Sequence, residues 1–70
     1  MQLSGSGVVR LMRKHKVTMR DIKAKYQITL KRVREVRATG VYGFAAAEWT
    51  FIITGKWPEG QGFQSDQVGQ

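Results

Sequence analysis

No cysteine occurs among the 70 residues, which excludes disulfides and thiolate metal sites as braces for so short a chain. A chain without thiols fits an intracellular setting, and the cytoplasm is the expected location. The single histidine, His15, has no companion ligand nearby in sequence. Core or surface filling is its expected role, rather than metal binding or catalysis. Acidic residues number only five and lie scattered. No carboxylate pair, histidine pair or nucleophile–base set stands out. Gly5 and Gly7 precede a helical pattern, but the later glycine and lysine of a phosphate-cradling loop are missing. An enzyme is therefore not expected, nor is any cofactor, metal or small-molecule substrate. No apolar segment is long enough to span a bilayer. The start, Met-Gln-Leu-Ser-Gly-Ser-Gly, has no basic patch followed by an apolar stretch, so it is not read as a secretory signal.

Positive charge, by contrast, is abundant. The net charge is +7 and the isoelectric point about 10.4. Eleven of the 12 basic residues lie between positions 10 and 37, where Asp21 and Glu35 are the only acids, so this stretch carries +9. The remainder carries −2. So dense a cluster repels itself, and a bound polyanion relieves the repulsion. A polyanionic partner is thus favoured over a merely solvated basic surface. A chain this short forms one domain, whose single core supplies only about 3–5 kcal/mol of net stability. Dimerisation is one way to add to it.

Hydrophobic spacing predicts helices. Residues 1–6 are polar and glycine-rich and read as frayed, with Ser4 or Ser6 available to cap a first helix over 7–14. Val8, Leu11, Met12 and His15 share one face of it; Arg10, Arg13 and Lys14 occupy the rest and read as a solvated face. Thr18 caps a second helix over 19–26, with Asp21 completing a capping box and Val17 and Ile22 forming a hydrophobic staple. After a break at Gln27 and Ile28, Thr29 caps a third helix over 30–39 that stops at Gly40 in a left-handed C′ conformation. Val33 and Val36 face inward there; Lys31, Arg32, Arg34, Glu35 and Arg37 face outward. Residues 40–43 read as a turn. Segment 44–54 is open to two readings: its alanines and Gly55 favour helix, while Trp49-Thr50-Phe51-Ile52-Ile53-Thr54 suits a strand. Helix is favoured, with Ala45, Trp49, Ile52 and Ile53 as its apolar stripe. Pro58 ends the folded part. The polar tail after it reads as disordered.

Ile22, Tyr26, Ile28, Val33 and Val36 fall where two crossing helices must touch. On these residues, segment 18–37 resembles the helix-turn-helix repressors of the lambda repressor and Cro type. It also looks like small plasmid and phage regulators. Two positions depart from that pattern. Lys23 stands where the family usually has a small residue, and Gln27 where it usually has glycine, so a positive φ there is costly.

The resemblance implies sequence-specific binding of double-stranded DNA by a transcriptional regulator, most plausibly a repressor, acting as a homodimer. Helix 30–39 then enters the major groove. By the same resemblance the base-reading positions map to Thr29, Leu30, Lys31, Arg34 and Glu35. Arg34 and Lys31 suit guanine O6 and N7, Glu35 suits cytosine N4, and Leu30 a thymine methyl. Against this, Glu35 pairing with Lys31 or orienting a neighbouring arginine is the better-supported role, and Leu30 is equally suited to burial. Arg20, Lys23, Arg32 and Arg37 suit phosphates, as does the helix start at Thr18. Phe51, with Ile52, marks a possible dimer interface, and Trp49 belongs to the core.

Other partners are compatible with the charge. RNA or non-specific nucleic-acid binding would use the same cations, with Tyr26 or Tyr42 stacking on bases. A protein-interaction module would dock the basic face on an acidic surface. A membrane surface is disfavoured, because the apolar face of helix 30–39 is narrow and needed for the core. The expected architecture is an all-α bundle of about four helices, with a helix-turn-helix DNA-binding domain over 1–57 and a flexible tail over 58–70.

Overall fold

The computed structural model describes residues 1–58; the remainder of the expected flexible tail lies outside the described residues. The chain forms a small all-α bundle. Its elements run β1 (Gln2–Leu3), α1 (Gly5–Lys14), α2 (Met19–Tyr26), α3 (Leu30–Thr39), β2 (Val41–Tyr42) and α4 (Gly43–Thr54). α1 packs on α3 and α4, and α2 packs on α3. No helix among the described residues is long and apolar enough to cross a membrane.

Ser4 is the cap of α1, its hydroxyl oxygen accepting the Gly7 N–H at 3.0 Å. The helix thus begins two residues earlier than the periodicity predicts. The residues before it are not frayed, which corrects the sequence expectation. Gln2 and Leu3 pair antiparallel with Tyr42 and Val41, and the Gly43 N–H donates to the Met1 carbonyl at 2.6 Å. Residues 41–42, read as part of a turn, are therefore a strand.

Two glycines permit this crossing. A β-carbon on Gly5 would stand 2.6 Å from the Arg37 carbonyl oxygen at the end of α3. Gly40 has φ 82° and ψ −177°, a region open essentially to glycine, rather than the left-handed helical conformation expected of it. A β-carbon there would meet the Leu3 carbonyl oxygen at 2.5 Å.

The capping box of α2 forms as the sequence predicts. The Thr18 N–H donates to Asp21 Oδ2 at 2.8 Å, and the Asp21 N–H to Thr18 Oγ1 at 3.1 Å. The bond from the Thr18 N–H, followed by that to its hydroxyl, lowers the Asp21 carboxyl below its ordinary 3.8. Ile22 is buried and Val17 packs against the core, as a hydrophobic staple requires. The helix ends at Gln27, which takes the left-handed conformation at φ 58° and ψ 32° without being glycine. Thr29 then caps α3, accepting the Arg32 N–H at 3.1 Å.

Segment 43–54 is helical. Ala46, Ala47, Trp49 and Ile53 are its buried residues, while Ala45 and Ile52 lie half-buried at the edge of the stripe. The threonines that favoured a strand bond backward along the helix instead. Thr50 Oγ1 donates to the Ala46 carbonyl and Thr54 Oγ1 to the Thr50 carbonyl, both at 2.8 Å. The core joins these residues to Val8, Met12, Ile22, Val33, Val36 and Val41, with Tyr26 and Ile28 packed against it. His15 is exposed at the C-cap of α1 rather than on its inward face.

Candidate nucleic-acid interface

The orientation of α3 follows from two residues. Val33 and Val36 are both 0% exposed, so the inner side of the helix is fixed against the core. Lys31, Arg32, Arg34 and Glu35 are exposed in consequence. Thr29 is exposed too, with its hydroxyl oxygen engaged as the cap. Leu30 is half-buried. Glu35 Oε1 accepts from Arg32 Nη1 at 2.9 Å, so its partner is the neighbouring arginine and not Lys31. This is the only ion pair among the described residues. It is exposed, and pairs of that kind add little stability. It joins two side chains that the sequence reading assigned to DNA contact.

A groove of about 580 Å³ opens between the C-terminal half of α1, the start of α2 and one side of α3. Arg13, Arg20, Arg34 and Arg37 line it, together with Thr18 and Leu30, beside the thioethers of Met12 and Met19. No acidic residue lines it among the described residues. Leu30, Arg34 and Arg37 reach it together because they stand at i, i+4 and i+7 on α3. The groove thus collects two of the expected base-reading residues, Leu30 and Arg34, and three of the expected phosphate contacts, Thr18, Arg20 and Arg37. Lys31, Arg32 and Glu35 lie on the exposed side of α3, outside the groove lining, and Lys23 lies exposed on α2.

Arg37 differs from its expected outward position. It is half-buried, with Nη1 2.9 Å from Met19 Sδ. Its Nε is buried and has no hydrogen-bond acceptor. The start of α2 covers this side of α3, a packing that helical spacing on α3 alone does not reveal. Arg13, read as part of a solvated face, belongs to the groove. It follows Val9 at i+4 on α1, and both line the groove with Met12. That spacing was the available signal for placing Arg13 here.

The two residues assigned to a dimer interface are each half-buried. Ile52 packs against the core. Phe51 stacks on Trp57, with ring centroids 4.9 Å apart and planes 14° from parallel. Both border a hollow of about 360 Å³ together with Tyr26, Ile28, Glu48 and Trp57. Trp57, to which the sequence reading gave no role, is 42% exposed and stacks on Phe44 as well as on Phe51. Comparison with family models, with curated proteins and with solved structures finds no match to this chain.

Proposed function

We propose that the protein is a sequence-specific DNA-binding transcriptional regulator, most simply a repressor, that reads the major groove of double-stranded DNA with α3. One observation carries this reading. α2 and α3 are joined by a short turn through a left-handed Gln27, and α3 is anchored by Val33 and Val36 while Lys31, Arg34 and Glu35 stay exposed. A helix presented in this way fits the major groove, and arginine and lysine pair with guanine O6 and N7. Arg20, Lys23 and Arg32, exposed on α2 and α3, supply phosphate contacts that set register without reading sequence. The protein acts as a homodimer on two half-sites, with Phe51 and Ile52 at the contact between copies.

Selection from a randomised duplex pool at about 150 mM salt tests the proposal, because that salt suppresses binding through phosphates alone. A short palindromic consensus is the expected result. Binding without a consensus that vanishes as salt rises would instead indicate an RNA or non-specific nucleic-acid binder, and no binding a protein-interaction module.

A further inference from the structure

We infer that the groove between α1, α2 and α3 is a seat for a single phosphate group, held by Arg13, Arg20 and Arg37. The inference deepens the DNA-binding reading by naming where a backbone phosphate is gripped, yet the seat itself can be tested without DNA.

Three features converge on it. Arginine forks match the geometry of phosphate oxygens, and four guanidiniums line this groove with no acid among the described residues to neutralise them. Arg37 is the most telling of the four. Its Nε–H is buried without an acceptor, and Nη1 rests on the Met19 thioether, which is a weak acceptor. A charged group resting on so weak an acceptor is poorly satisfied, and a phosphate oxygen accepting from the guanidinium in place of the thioether would satisfy it. Finally, the capping box engages the N–H groups of Thr18 and Asp21. The N–H groups of Met19 and Arg20, also in the first turn of α2, have no intrahelical acceptor, and both residues line the groove. Arg34 borders the same groove from α3. A phosphate fixed here would therefore set the register of the helix that reads bases.

The test is a titration of the full chain with sodium phosphate at constant ionic strength, followed through the arginine Nε–H resonances. Saturable shifts confined to Arg13, Arg20 and Arg37 are expected. Arg13→Gln, an exposed position that leaves the core intact, is expected to weaken phosphate about tenfold, the loss of one charge-assisted hydrogen bond. Lys25→Gln, on α2 outside the groove, should leave it unchanged. Shifts no larger than chloride produces at equal ionic strength, or an equal loss with Lys25→Gln, would overturn the seat. Single methylphosphonate replacements in a bound duplex then identify the source. One backbone position whose replacement weakens the wild type but not Arg13→Gln is expected, and marks a DNA phosphate. Saturable phosphate binding with no such position marks a free phosphorylated ligand. If phosphate saturates while no duplex binds, the seat stands and the DNA reading falls.

Discussion

Gln27 occupies the left-handed region at φ 58° and ψ 32°, where a β-carbon costs about 1–2 kcal/mol. Gln27→Gly is expected to remove that strain, partly offset by the greater freedom glycine gives the unfolded chain. Urea denaturation should show a net gain of about 1 kcal/mol, with DNA affinity unchanged. Asp21 illustrates a pH effect at the same scale. Its carboxyl lies below the ordinary 3.8 because the charged form accepts the Thr18 N–H. The stability linked to it is therefore present above the unfolded value and is lost as pH falls through the folded one. Asp21→Asn is expected to flatten the acid limb of the stability–pH profile, which thermal melts across the acid range would show. Both residues act through contacts within a few positions of themselves, so their caps and turn were legible in the sequence. The departure of Gln27 from glycine was legible as well. That the backbone accepts the strain was not, because the packing of Ile22 against Val33 and Val36 in the core is not local to the turn.

Helices with strong local signals, by contrast, account for most of the agreement among elements. α2 and α3 have caps and periodic apolar residues, and both fall within their predicted bounds. β1 and β2 span two residues each, too short for any alternation to register, and their pairing joins positions about forty apart in the chain. The glycines at this crossing read as signs of fraying and of a turn because their purpose is non-local. Gly5 lets α1 approach the end of α3, and Gly40 lets β1 pass. Gly40→Ala is expected to cost about 1–3 kcal/mol from backbone conformation alone, and more from the 2.5 Å approach to the Leu3 carbonyl. A lowered melting temperature, with early loss of amide protection in β1, is the corresponding observation. The candidate site shows the same division. The exposure of Lys31 and Arg34 follows from periodicity on α3. The burial of Arg37 and the recruitment of Arg13 depend on how α1 and α2 pack around that helix, and no single-helix pattern contains that information.

Across the whole molecule, charge is segregated by element. The stretch carrying +9 supplies the second half of α1, all of α2 and most of α3, whereas α4 has Glu48 as its only charged residue. Exposed cations away from the reading side should contribute to binding without regard to sequence. Lys23→Ala is thus expected to weaken all duplexes about equally and to reduce the slope of affinity against salt by about one unit. Arg34→Ala should behave differently, costing about 1–3 kcal/mol on the preferred duplex and little on others. The most direct measurement is fluorescence anisotropy of the wild type and Arg34→Ala on a selected duplex and on a scrambled one, at a single fixed salt. If α3 reads bases, the wild type prefers the selected duplex and Arg34→Ala largely closes that gap while remaining folded. Equal wild-type affinity for both duplexes, or a preference that survives Arg34→Ala intact, would contradict the assignment of α3 as the reading helix.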